Sequence, residues 1–157
     1  MPKLGKFSLK NLETCDERLQ RLVYNVAEII NITVTEGYRG PIEQNLAYER
    51  GYSKLKYPES KHNSKPSEAV HLVPYIPGIG ALIGSQQQIT TLVLQMGRQR
   101  NIINSWIREQ YTMIAGIVWN EAHHLDLKIR WGGDWDRDLN LLDNRFDDLA
   151  HYEIYER

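Results

Sequence analysis

Between Ile102 and Trp119 apolar residues recur at helical spacing, and the pattern continues to about His124. A helix this long buries a stripe and needs other elements to cover it, so the chain is committed to a layered fold around one central helix. Short β-branched or aromatic runs surround it: Ile32–Thr35 ending before Gly37, Val70–Val73 running into Pro74, Leu127–Trp131 and Tyr152–Tyr155. These are strands in a small antiparallel sheet, and the fold class is α+β. The 157 residues fit a single domain spanning 1–157. No internal repeat or heptad run points to a solenoid or coiled coil.

Local signals place the other elements. Thr14, with Glu17 three positions on, has the spacing of a capping box, and Leu19, Leu22, Val23, Val26, Ile29 and Ile30 follow at helical spacing. A first helix is predicted from about Cys15 to Ile30. Pro41 suits the first position of a second helix, Ile42 to about Arg50, which Gly51 can end. Tyr52–Pro66 is polar and rich in Lys, Ser and Pro, the composition of a surface loop. The run IPGIGALIG reads equally as a flap or a buried turn, and a Gln-rich helix begins at about Ser85.

With 41% hydrophobic and 25% charged residues, four Trp and nine Tyr, the composition is that of a folded chain. A net charge of -1 and the lack of a basic run argue against nucleic acid as a partner. The single Cys15 is an ordinary free thiol without an internal partner. No run reaches the ~18 apolar residues of a membrane span, and the N-terminus has no apolar stretch of signal-peptide length. Synthesis in the cytoplasm is the expectation, with a monomer as the working state.

Five histidines occur, His62, His71, His123, His124 and His151, and the HExxH zinc signature is absent. A lone loop histidine is usually solvated, and a lone histidine on an apolar strand is usually a satisfied core group. The positions of three of them suggest more. His62 and His71 bracket the entry to the second strand and His151 opens the last one, so neighbouring strands would gather all three. Three protein ligands with an open position form a hydrolytic zinc site. His123 and His124 suit the C-terminal dipole of the long helix and are read as structural. Asp148, three positions before His151, is a candidate base, although Asp147 and Asp148 could equally solvate a turn or cap a helix. Asp134, Asp136 and Asp138 alternate in a Gly-containing loop, an oxygen-rich pattern that could hold calcium, or simply an acidic turn.

Several separated segments resemble the D-alanyl-D-alanine carboxypeptidase family of zinc peptidases, in particular its phage branch of L-alanyl-D-glutamate endopeptidases, the endolysins. Thr35-Glu36-Gly37-Tyr38-Arg39 with downstream Gln44 is similar to that family's strand-end Arg and Gln. Ser60-Lys61-His62-Asn63 resembles its Ser-x-His motif, and Pro66–Tyr75 its second-ligand segment. Ile129–Asp136 is similar to the Trp-Gly-Gly-Asp-Trp stretch of the phage enzymes, and Phe146–Glu153 resembles the segment that supplies base and third ligand. The resemblance runs from about Leu12 to the C-terminus and skips an insertion-like segment of about 76–108.

The resemblance implies the LAS-type, hedgehog/DD-peptidase-like fold with one zinc ion. It implies His62, His71 and His151 as ligands, Asp148 as the base, Arg39 as the stabiliser of charge on the scissile carbonyl oxygen, and Ser60 and Gln44 along the substrate groove. The implied partner is bacterial peptidoglycan, and the implied activity is cleavage of the L-alanyl-D-glutamate bond by a compact lytic enzyme of a bacteriophage, acting on the wall after release from the host cytoplasm. A D-alanyl-D-alanine carboxypeptidase and a non-catalytic wall-binding or virion protein are the alternatives. This chain departs from the pattern at His71, where the family has an aspartate ligand. The exchange removes one negative charge from around the metal, so activity is either retuned or lost.

Overall fold

The computed structural model describes residues 3–156. Its centre is β2 (Ala69–Ile76), which pairs antiparallel with β1 (Ile32–Glu36) on one side and β5 (Asp148–Ile154) on the other. β4 (Ile129–Gly132) completes the order β1-β2-β5-β4, and the short β3 (Gly80–Ala81) pairs with the end of β2. The α+β expectation of a small antiparallel sheet with packed helices is met.

The predicted central helix is α5 (Arg100–His124). Its C-terminal half, through Ile114, Ala115, Val118 and Ala122, packs with Leu19, Leu22, Val23 and Val26 of α2 (Glu17–Ile29) against Val34, Val70, Leu72, Trp131 and Tyr152 of the sheet. Its N-terminal half serves a second cluster. Ile103, Ile107 and Tyr111 meet Val73, Leu82 and the Ile89 and Leu92 of α4 (Gln86–Met96). The segment 76–108 thus contributes β3, α4 and the start of α5 to the core. IPGIGALIG is the β2–β3 turn with Leu82 buried behind it, and Ser85 caps α4 through Gln88 N.

Two N-terminal expectations are corrected. The helix starts at Glu17, because Asp16 is its cap and accepts from Arg18 N at 2.9 Å. Cys15 therefore lies before the helix, buried, and not in it. Thr14 makes no capping box: its hydroxyl donates to Asn11 O and accepts from Tyr38 N. A further helix, α1 (Lys6–Leu12), precedes it, and α3 (Pro41–Glu49) begins at the anticipated proline. Among the described residues no helix is long and apolar enough to cross a membrane.

Candidate metal centre

Sheet register assembles the site. Glu36 of β1 lies opposite His71 of β2, and His71 lies opposite His151 of β5, so three adjacent strands present these residues in one row. His62 joins the row from the 3₁₀ turn Lys61–Asn63. Ser60 caps that turn, with its hydroxyl accepting from His62 N and its own N–H donating to the Asn63 side chain.

The tautomers follow from the partners. His62 Nδ1 lies 2.6 Å from Gly37 O, and because a carbonyl only accepts, Nδ1 carries the proton. His151 Nε2 lies 2.7 Å from Glu153 Oε2, whose carboxylate is fixed from behind by Arg130. Burial pushes the Glu153 carboxyl up, but its bonds to His151 and Arg130 together hold it below the ordinary value, so it is an ionised acceptor. The remaining lone pairs, on His62 Nε2 and His151 Nδ1, then face each other at 3.2 Å. His71 Nε2 also stands 3.2 Å from His151 Nδ1.

Two lone pairs at that distance repel unless a cation lies between them. Nitrogens bound to one zinc ion at ~2.0–2.1 Å with tetrahedral angles lie roughly 3.3–3.4 Å apart, which the spacing matches. Burial, followed by the charges of the neighbouring imidazoles and Arg39, holds His62 well below its usual pKa; burial, His151 and Arg39 do the same for His71. Both stay neutral at pH 7, the form that binds metal. The donor set therefore fits a metal ion.

Asp148 Oδ2 lies 3.6 Å from His71 Nε2. A regular strand would send residues three apart to opposite faces. Here Trp131 pairs with Tyr152 but Gly132 pairs with Asp148, and this bulge returns the Asp148 carboxylate to the histidine face. Burial raises the Asp148 carboxyl above its ordinary value, against the smaller pull of His151 and Arg39. Glycine is required opposite it: a Cβ at Gly132 would sit 2.1 Å from Asp148 O. Gly132→Ala is expected to lower stability by about 1–3 kcal/mol and to displace Asp148. Urea denaturation checks the first effect; an unchanged midpoint would mean the strands can part without cost.

The Trp and Gly positions of the Trp-Gly-Gly-Asp-Trp stretch each gain a physical reason. Trp131 fills the core, Gly133 passes beneath its ring, and Trp135 forms a wall of the site, 5.2 Å from the His151 ring and bonded through Nε1 to Phe146 O. The centre opens into a cleft of about 400 Å³ that Arg39, Ser60 and Trp135 also line.

Arg39 reaches the cleft with its charge already engaged by Glu36, whose Oε1 lies 3.8 Å from His71 Nδ1 and 4.0 Å from His62 Nε2. Gln44, expected along the groove, is instead fully buried below it. Its amide braces Arg39, Asn63, Ser53 and Leu55 O, because a helix-borne amide with both ends satisfied can cross-link three loop segments. His123 and His124 remain at the end of α5, apart from the cluster.

Carboxylate oxygens of Asp134, Asp136 and Asp138 lie within 4.8 Å of one another. Asp136 and Asp138 are exposed, while Asp134 is buried, its Oδ2 accepting from Leu139 N and its Oδ1 unpartnered among the described residues. Exposed acidic groups gather in this way without an ion, and the calcium expectation gains no support from the grouping. Glu36, Trp135 and Glu153 join the site without a role that the sequence motifs give them. For Glu153 a signal existed, since it follows His151 by two positions and so shares its strand face.

No protein-family model matches the chain, and no curated protein matches it in sequence. Among solved structures, the L-Ala D-Glu endopeptidase ChiX of Serratia marcescens is similar, with a TM-score of 0.66 and 19% identity, covering 98% of this chain and 91% of that one. At that identity the likeness establishes the fold alone.

Proposed function

We propose that this chain is a zinc-dependent peptidase that hydrolyses the peptide stem of peptidoglycan, at the bond between L-alanine and D-glutamate. The observation that carries the reading is the pair of imidazole lone pairs facing each other at 3.2 Å beside a half-buried carboxylate, at the foot of an open cleft. The likeness of the fold to an L-Ala D-Glu endopeptidase supports the choice of bond.

In this reading His62, His71 and His151 hold the metal. Zinc bound there supplies a Lewis acid for the scissile carbonyl and lowers the pKa of water. Asp148 takes a proton from the attacking water and returns it to the leaving amine, a task helped by a carboxyl raised toward neutrality. Arg39 faces the charge that develops on the carbonyl oxygen, with Glu36 and Gln44 fixing its guanidinium. Ser60 secures the turn that presents His62. Glu36, 3.8 Å from His71 Nδ1, returns negative charge to the place where an aspartate ligand would have brought it.

Purified peptidoglycan incubated with zinc-loaded and with chelated protein tests the reading. Zinc-dependent loss of turbidity with new amino termini on D-glutamate is expected. Release of D-alanine would redirect it to a carboxypeptidase, and zinc binding without any release would leave a wall-binding protein.

Glu153 orients His151 from behind the ring, and such carboxylates matter for affinity. Glu153→Ala is expected to weaken zinc binding about 10–100-fold in competition with a chromophoric chelator. Glu153→Gln, which keeps an acceptor oxygen, should lose less; equal affinity in all three proteins would show that Glu153 serves only Arg130.

A further inference from the structure

The cleft is lined by four basic side chains, Arg39, Lys54, Lys61 and Arg130. Three have carboxylate partners: Arg39 pairs with Glu36, Lys61 with Glu68 at 2.9 Å, and Arg130 with Glu153. Lys54 makes no ion pair among the described residues, and Glu59 in the same lining is not joined to it. Its ammonium lies over the Phe146 ring, 5.0 Å from the centroid.

That position is tied to the centre by a continuous wall. Phe146 O accepts from Trp135 Nε1 at 2.6 Å, and the Trp135 ring rests on His151. Phe146 also precedes Asp148 by two residues, and Lys54, Phe146 and Asp148 line the same cleft. A cation held on an aromatic face, beside a cleft and without an anion, is placed to receive one from a ligand.

We propose that Lys54 forms a carboxylate-binding subsite that recognises a free carboxylate on the residue contributing the leaving nitrogen. The inference rests on the peptidase reading for its direction. In an L-alanyl-D-glutamyl stem that continues through the γ-carboxyl, the α-carboxylate is attached to the same carbon as the scissile nitrogen. It is therefore carried next to Asp148 whenever the bond is in place, and amidation of it removes the charge without changing the shape. Substrates with the free acid are preferred over those with the amide, and the preference falls with ionic strength because Lys54 is exposed.

The test uses two synthetic muramyl peptides that differ only in a free or amidated α-carboxyl on D-glutamate, with zinc-loaded wild type, Lys54→Met and Lys54→Arg. In the wild type kcat/KM for the acid should exceed that for the amide by about tenfold, the size expected of one charge-assisted contact. Lys54→Met should bring the ratio to about one, and Lys54→Arg should keep it. An acid preference that survives in Lys54→Met, or a wild type that cuts both peptides equally, overturns the proposal while leaving the peptidase reading intact. Calorimetric binding of the same peptides to zinc-loaded Asp148→Asn separates the two ideas from the other side. Lys54-dependent preference for the acid in binding, with no cleavage by the wild type, would keep the subsite and discard the peptidase. If neither peptide is bound or cut, both readings fall.

Discussion

Asp148→Asn is expected to lower kcat by about 10²–10⁴-fold while zinc stoichiometry stays at one, because the change deletes a proton acceptor and little else. The carboxylate contacts the imidazole row only at 3.6 Å, and its side chain has no hydrogen bond among the described residues, so an amide of the same shape disturbs no network. Stability should hold or rise. The folded carboxyl titrates above its unfolded value, so at neutral pH the fold carries a charge that burial disfavours, and the neutral amide removes that cost. Amine release under saturating substrate reads the rate, and a thermal melt reads the fold. A variant that melts as the wild type does but turns over at the wild-type rate would remove Asp148 from the chemistry.

Zinc added to the chelated protein is expected to stabilise it by about 2.7 kcal/mol at a free concentration a hundred times Kd. For a domain of this length that corresponds to a rise of roughly 5–11 °C in Tm. The expected source is specific: a metal bound there would replace a repulsion between His62 Nε2 and His151 Nδ1, two lone pairs fixed in place by Gly37 O and Glu153. His151→Ala should abolish the shift, because it removes one nitrogen of each 3.2 Å pair. A full shift in that variant would place the metal elsewhere. Replacement of the outlying His123 by Ala, by contrast, should leave the shift unchanged.

The helices and strands were largely legible because their signals are local. The apolar periodicity of α5, Pro41 at the head of α3 and the β-branched runs of β1 and β2 need no distant partner to be read. The N-terminal misreading has the same origin. Thr14 and Glu17 have the spacing of a capping box, but Thr14 is drawn to Asn11 and Tyr38, contacts 3 and 24 residues away, and leaves the cap to Asp16. The family resemblance puts Gln44 on the groove; its burial depends on Ser53, Leu55 and Asn63 closing over it, which no local pattern records.

The sequence by itself determined the α+β class, the long central helix and which residue types could bind metal, since periodicity and donor chemistry are properties of single segments. Only the tertiary structure decided which histidine nitrogens converge, that Glu36 and Glu153 stand behind them, and that Asp148 faces them at all. Those outcomes depend on strand register and on one bulge against Gly132, and a shift of a single residue in either would turn the same side chains to the other face of the sheet.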